Sequence, residues 1–597
     1  MTLGAETSSS VSTRVRPAGA PGRGLPAGGA ILFIALACFW AGLALTRGVE
    51  HLNSDQHLNL LLVLKEVDPG LFPTDLIFGG KNVINEYIPI YIRLLRVAYE
   101  FTGDLAGGFK LLVLPLNLLY LFGAYYVFHR FSGQRWIAVL LAIFASFPTA
   151  VPVAGELFGI GPVQVINARS LFTAWFPLLF LAFCAWIGKP ASMVLLFLLI
   201  GLLANVHPVS GILLAPMLIL TYILEWRGRW RAWLAGVAMG LAALLGAAPT
   251  LWKQILLLAR QGATVAQMGE GQMARLVQER MGTLMYPPYT LSVLPRPAVD
   301  ALTFGLMIFG ILLLVQAWRD KEQAHPFYLR LVGLACLNYV LFPEATLVGL
   351  LLLMLFFLPQ SATGFQRERL AVYFCLSIFW VTIGGLLMLQ YVLRLVDRPV
   401  LFAAMLRGVR FAGFAIFLLL AISIQRADWH RVHRGGRIAC LLLAVILAAS
   451  ELRDTARTYL RTRGDAAAAD LVAVANWARG ETRVEDVFLF DSAAFRVLAR
   501  RSLAFATKDG AASIYHGAER SAEWSERRSM LREAGSDPVA LLRVGQRVGA
   551  QYVVVPAGTL GDPRVATLVR YRNSTYGVLT TRPEKGELTS TIGALRR

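Results

Sequence analysis

From residue 28 onward the chain is a succession of nearly continuous apolar runs of about 16 to 25 residues, separated by short polar breaks. That is the length of helix needed to cross a hydrocarbon core of roughly 30 Å, and the runs do not alternate as the strands of a membrane barrel would. The pattern predicts spans at roughly 29–47, 108–128, 136–153, 170–187, 191–205, 209–225, 232–250, 299–318, 328–343, 345–360, 371–391, 400–424 and 438–451, about thirteen helices. The first run is longer than the apolar stretch of a signal peptide and leads into many more, so it reads as an uncleaved helix. Residues 1–28, rich in Ser, Gly and Pro, read as a disordered cytoplasmic tail.

With that tail inside, the inner short loops hold fifteen Lys and Arg residues, Arg130, Lys189, Arg229 and Arg369 among them, and the outer ones only Arg169, Arg394 and Arg398. This bias orients the helices and puts the C-terminus outside. Three long segments then share the outer face. Residues 48–107 contain two amphipathic helices, DQHLNLLLVLKEV after Ser54 and NEYIPIYIRLLRVAYEF, where Ile88, Ile92, Leu95 and Tyr99 repeat at helical spacing. Residues 251–297 carry a helix through Gln278 and then the proline-rich MYPPYTLSVLPRP, which suits the membrane interface. Residues 453–597 follow the membrane domain (29–452) and read as a small extracytoplasmic α/β domain. Its elements are a helix at AADLVAVANWA, a strand at DVFLF, helices around Trp524 and Val539, and a strand at QYVVV.

Composition agrees with a polytopic α-helical membrane protein: 56% of residues are apolar, 16% are charged and the mean hydropathy is +0.58, whereas a soluble domain carries about 25% charged residues. A net charge of +20 raises the question of nucleic acid, but much of it sits in short loops where it orients helices, so no nucleic-acid partner is implied. Cys38, Cys184, Cys336, Cys375 and Cys440 all fall inside apolar runs without paired spacing and read as small core residues.

Candidate chemistry concentrates on the outer face. Asp55 stands at the head of an amphipathic helix, with Ser54 available as N-cap; a helix N-terminus favours an ionised carboxylate, able to act as a base or metal ligand. Asp75, after FPT, could contact substrate or terminate the loop as a turn residue. Glu156 is the only acid between Asp104 and Glu225 and needs a partner. Its candidates are a divalent cation (Mg or Mn) shared with Asp55, a substrate hydroxyl, or Arg169, which could itself bind a phosphate. His207, in NVHPVSG between two spans, could bind a phosphate or satisfy a carbonyl. Arg407 and Arg410, three residues apart on one predicted helix face below the outer surface, could snorkel or form a phosphate or diphosphate site. Glu344 is a weaker acid at the membrane edge. The chain has no P-loop, no GxGxxG after a strand, no HExxH and no CxxC.

An acid in the first outer loop beside two interfacial helices, a second acid after the third span, and an outer C-terminal domain together resemble the GT-C superfamily of polytopic glycosyltransferases. Further features of the resemblance are DQ…DPGLFPTD early, HPVSG midway, and Trp477, Phe488-Leu489, Arg501 and Tyr552 to Val555 in the C-terminal domain. It implies a GT-C-like fold and an enzyme of the bacterial cytoplasmic membrane. Such an enzyme moves a sugar from a polyprenyl-phosphate or diphosphate donor to a glycan, lipid or protein acceptor at the outer face. It implies that Asp55 is the catalytic carboxylate, Glu156 the second acid, and Arg407 and Arg410 the phosphate-binding residues. Asp55-Gln56 departs from the two adjacent acids of many members, which leaves one carboxylate fewer for a metal. The competing readings are a transporter or flippase of a lipid-linked glycan, against which stands the lack of a repeat of broken helices, and a non-catalytic envelope scaffold.

Overall fold

The computed structural model describes residues 24–79, 89–151, 156–226, 228–268 and 366–385, most of 407–426, scattered positions from 449 to 460, and 464–510 and 518–582. The expected spans at 299–318, 328–343 and 345–360, nearly all of that at 438–451, the proline-rich part of the second outer segment and Glu344 lie outside the described residues.

The membrane part is a helical bundle. Its helices are α1 (Ala27–Leu45), α4 (Gly107–Ser132), α5 (Arg135–Ser146), α6 (Ala168–Trp186), α7 (Pro190–Ala204), α8 (Pro208–Glu225), α9 (Trp230–Met268), α10 (Gln366–Phe379) and α11 (Arg410–Arg426). Between α1 and α4 lie α2 (Ser54–Val67) and α3 (Pro89–Thr102) of the first outer segment, where the amphipathic pattern placed them, with Ile92 and Leu95 buried. Five of these helices are long and apolar enough to cross a membrane, and α5, α7 and the first part of α11 are shorter apolar helices; the described residues do not reach a count of thirteen.

Three boundaries differ from the apolar pattern. The third span stops at Ser146, because Pro148 has no N–H to donate and its ring clashes with the preceding turn; the chain then forms a hairpin of β1 (Thr149–Val151) and β2 (Glu156–Phe158). Helix α9 runs on for 39 residues, roughly 58 Å at about 1.5 Å per residue, nearly twice the hydrocarbon thickness. In the twelfth span Arg407 and Gly408 form a 3₁₀ turn and the helix starts at Arg410, so the two arginines flank a helix start and do not share one face of a continuous helix. Gly408 lets this turn pack closely against its neighbours: a Cβ there would lie 2.4 Å from Thr382 Cγ2 and 2.6 Å from Met217 Cε.

The bundle packs through phenylalanines and small residues. Phe176, Phe180, Phe374, Phe411 and Phe414 interlock with several ring centroids 4.8 to 5.0 Å apart. Helices α7 and α9 approach so closely that a Cβ on Gly201 would sit 2.1 Å from the Ala243 carbonyl oxygen. Asn205 locks that seam, donating to the Gly246 carbonyl at 2.8 Å and accepting from the Thr250 hydroxyl at 2.8 Å, a combination suited to lipid, where backbone approach and polar contacts drive association.

After the bundle come α12 (Ala466–Glu481), β3 (Val487–Leu489), α13 (Ala493–Ala499), β4 (Ser502–Phe505), α14 (Ala518–Ala534), α15 (Pro538–Arg547), β5 (Tyr552–Pro556), β6 (Val569–Arg572) and β7 (Tyr576–Thr580). The sheet order is β4-β3-β5-β7-β6, with β3 parallel to β4 and β5, and β7 antiparallel to both of its neighbours. Phe488, Leu503, Val554 and Val578 face α12 and α13, whereas Val487, Leu489, Val553 and Leu579 face α15. The two apolar sides of the strands thus require helices on both faces.

This small α/β unit is docked on the first outer segment through a buried ionic cluster. Arg496 on α13 is fully buried between Asp509, which it grips with two bonds of 2.9 and 2.5 Å, and Asp75, whose Oδ2 lies 3.1 Å from its Nε. Asp75 Oδ1 accepts from the amides of Ile77 and Phe78, and Oδ2 from that of Leu503 on β4. Of the two readings for Asp75, the geometry gives the turn, extended into an inter-domain joint: its side chain has no exposed surface for a substrate. Arg520 donating to the Leu76 carbonyl at 2.8 Å and Thr74 donating to that of Glu485 at 3.1 Å extend the contact.

Because α7 and α9 meet backbone to backbone at Gly201, Gly201→Leu is expected to lower the stability of the protein in micelles by about 1–3 kcal/mol, as overpacking does, read as a lower midpoint of thermal unfolding; an unchanged midpoint would contradict this packing.

Candidate functional site

Asp55 owes its position to the start of α2. Asn53, rather than Ser54, is the N-cap: its side chain accepts from the Gln56 amide at 2.9 Å while Gln56 Oε1 accepts from the Asn53 amide at 3.0 Å, a reciprocal capping box. Gln56 then spends its side-chain amide on the carbonyls of Val163 (2.6 Å) and Ile166 (2.8 Å), and Asn53 donates to that of Gln164. The loop gripped in this way leads directly into α6, capped by Asn167, whose first turn carries Arg169. The two residues of the capping box thus bring Asp55 and Arg169, more than a hundred positions apart, to the same end of the bundle.

His207 caps α8 and accepts from the Ser210 amide at 3.3 Å. Arg410, at the start of α11 and almost fully buried, donates to the Ser210 hydroxyl, which pairs with His207 Nδ1. A guanidinium can only donate, so the serine proton points to Nδ1 and the imidazole proton rests on Nε2. Burial, reinforced by the positive charges of Arg410, Arg169 and Arg407, holds the His207 pKa well below its ordinary 6.5, so the ring is neutral at pH 7.

The fourth cation comes from the C-terminal domain. Lys508, in the 3₁₀ turn Thr507–Asp509, makes an ion pair with Asp55 Oδ1. Partial burial works against ionisation of Asp55, yet Lys508, Arg169 and Arg407 together outweigh it and hold its pKa below the usual carboxylate value. About half of its side chain stays exposed. Among the described side chains the site holds one carboxylate and four cations, a surplus of positive charge between the apolar bundle and the C-terminal α/β unit.

Of the residues singled out in the sequence, Asp55, Arg169, His207, Arg407 and Arg410 are brought together, while Asp75 is taken up by the joint. Glu156 lies on β2, which packs beside α11; its side chain is outside the described residues. Lys508 and Ser210 were not foreseen as members of the site. The one signal for Lys508 is compositional: it and Lys585 are the only lysines beyond residue 321 in a chain that otherwise uses arginine there.

The described side chains of this site give a divalent cation little hold. Among the described residues no three His, Cys, Asp or Glu side chains cluster to hold a metal, and Asp55 already carries an ammonium with two guanidiniums nearby, whose like charge opposes a second cation. The same arrangement suits an anion, since arginine forks match phosphate oxygens and are weakly hydrated.

No family model matches the chain, and no curated protein matches it. Among solved structures it is similar to the archaeal oligosaccharyltransferase AglB from Archaeoglobus fulgidus in complex with an inhibitory peptide and a dolichol-phosphate, at 13% identity and a TM-score of 0.42, over 94% of this chain and 75% of that one. It is also similar to ArnT from Cupriavidus metallidurans bound to undecaprenyl phosphate, at 14% identity and a TM-score of 0.40, over 93% of this chain and 98% of that one.

Because His207 is neutral, the charge of the site is expected not to change across its ordinary titration range. Retention of an anionic phosphodiester lipid, whose own charge is constant over this range, by the protein in neutral nanodiscs is expected to be flat from about pH 8 to about pH 6 and to rise only when a more acidic medium adds a proton to the ring. A rise centred near the ordinary value of 6.5 would contradict the depressed pKa.

Proposed function

We propose that this chain is a membrane glycosyltransferase that moves a sugar from a polyprenyl-phosphate or diphosphate donor to an acceptor hydroxyl at the outer face of the cytoplasmic membrane. The observation that carries the reading is the convergence of Asp55 with Arg169, Arg407, Arg410 and Lys508 where the apolar bundle meets the C-terminal domain. The donor class and the roles of the acid and the late arginines are those that the resemblance in the sequence implies.

The acceptor oxygen attacks the anomeric carbon, the bond from that carbon to the phosphate oxygen opens, and the electron pair leaves with the phosphate. The acceptor O–H bond breaks late in the same step, as its oxygen becomes positive, and the proton passes to Asp55. Arg169, Arg407 and Arg410 supply fixed positive charge where that negative charge grows, at no reorganisation cost during the step. The start of α11 at Arg410 adds the positive end of a helix dipole. Asp55 takes the acceptor hydroxyl as a hydrogen-bond acceptor and orients its lone pair. With its pKa held low it is a weak base, so alignment and charge carry more of its contribution than early proton removal does. Neutral His207 adds no further charge and helps to hold Ser210, on which Arg410 rests. The apolar spans accommodate the isoprenoid tail, and a donor drawn from the bilayer needs no nucleotide-binding fold.

Asp55→Asn is expected to reduce transfer of labelled sugar from polyprenyl-phosphate sugars by at least about 10²-fold, the lower range for loss of a positioned acid or base, with the protein still inserted and folded. Arg407→Ala is expected to weaken retention of the same donors about tenfold, as loss of one charge-assisted contact would. Wild-type transfer by the Asp55 variant would overturn the mechanism, whereas unchanged donor retention by the Arg407 variant would overturn only the phosphate assignment.

A further inference from the structure

The catalytic acid proposed above belongs to the membrane half of the protein, yet the group that pairs with it comes from a turn more than 450 residues later. That turn is held on three sides. The Thr507 amide and hydroxyl donate to the Asp491 carboxylate at 2.8 and 2.6 Å. Trp524 is fully buried, stacks on Phe505 and donates from its indole N–H to the Ala506 carbonyl at 3.0 Å. Its ring also lies over Gly510, where a Cβ would come within 2.6 Å of it. Asp509, next to Lys508, is clamped by both terminal nitrogens of Arg496, whose Nε faces Asp75 of the first outer segment. A planar guanidinium that serves carboxylates from two parts of the chain fixes their relative position more tightly than one ammonium could. The same fourteen-residue stretch from Arg496 to Asp509 therefore contains two members of the clasp between the two parts and the lysine that reaches Asp55.

We propose that the C-terminal domain is a working part of the site: Lys508 is a positioning residue that pins Oδ1 of Asp55, and the buried Asp75, Arg496 and Asp509 cluster is the clasp that puts it there. With Oδ1 occupied, Oδ2 is the oxygen left to accept the acceptor hydroxyl, so the lysine selects both the charge state and the orientation of the carboxylate. Undocking of the domain would remove that cation and leave Asp55 facing only Arg169 and Arg407 from the bundle. The chemistry of this proposal rests on the glycosyltransferase reading; the assembly of clasp, lysine and acid does not.

The test treats full-length protein in lipid nanodiscs with a water-soluble carbodiimide, which joins an ion-paired carboxylate and amine as an amide with loss of water, followed by digestion and mass spectrometry. An Asp55–Lys508 link is expected in the wild type. It should fall at least fivefold in Arg496→Met, and in Asp509→Asn as a gentler second variant, while the Asp104–Lys110 link across a 2.7 Å pair in the bundle stays constant. A wild type without the link, or an undiminished link in both variants, would overturn the clasp. In the transfer assay, Lys508→Met is expected to move the acid limb of the pH–rate profile upward and Lys508→Arg to restore it. A Lys508→Met profile identical to wild type, with Asp55→Asn inactive, would overturn the role of the lysine and leave the glycosyltransferase reading standing. No transfer by the wild type from any donor would overturn that reading, and the cross-linking would still decide the assembly.

Discussion

The arrangement depends on one buried arginine. Arg496 has no contact with water and is held between Asp75 and Asp509, in surroundings where a lone guanidinium would be too costly to bury and where removing one partner of such a cluster costs about 3–5 kcal/mol. Because Asp75 belongs to the loop after the first span and the other two to the C-terminal domain, Arg496 Nε and the Asp75 carboxylate meet only while the two parts are docked. Hydrogen bonds from Ile77, Phe78 and Leu503 use the remaining lone pairs of Asp75, which makes the joint specific in direction as well as in charge. Arg47, stacked 3.5 Å from the centre of the Tyr459 ring and donating to the Tyr459 carbonyl at 3.0 Å, ties the end of the first span to the approach to the domain.

From this joint the site follows. The capping box of α2 and its grip on residues 163–166 bring Asp55 to Arg169, and the Arg410–Ser210–His207 chain brings the starts of α8 and α11 together. Each functional side chain stands at the end of a helix or in a short turn, supported by buried polar contacts behind it. In a setting of low dielectric a surplus of positive charge is tolerated only where water or an anion can reach it, and Asp55, the one partly exposed acid there among the described side chains, marks the open side. Chemistry at this edge can draw one reactant from the bilayer and the other from the aqueous face.

Much of this was legible in the sequence where it depended on local pattern. Apolar runs fixed the spans at α1, α4, α6, α7 and α8 to within a few residues, since a bilayer imposes length directly. Asp55, His207 and Arg169 were visible as polar residues near the ends of those runs. The pattern failed where local residues overrode it: Pro148 cut the third span short, a 3₁₀ turn at Arg407 and Gly408 put a helix start between two arginines expected on one face, and Asn53 displaced Ser54 as cap. Lys508, Ser210 and the role of Asp75 were not legible. They depend on contacts between segments far apart in the chain, and neither periodicity nor charge pattern carries that information; Asp75 read equally well as a turn residue or a ligand until Arg496 was found against it.

The most direct test of the central claim is an experimental structure of the full-length protein in lipid with a polyprenyl phosphate bound. The phosphate is expected within hydrogen-bond reach of Arg407 and Arg410 and beside Arg169, with the isoprenoid tail along the apolar bundle and Asp55 facing the phosphate from the Lys508 side. A phosphate bound elsewhere in the bundle, with Asp55 and Lys508 remote from it, would contradict that claim.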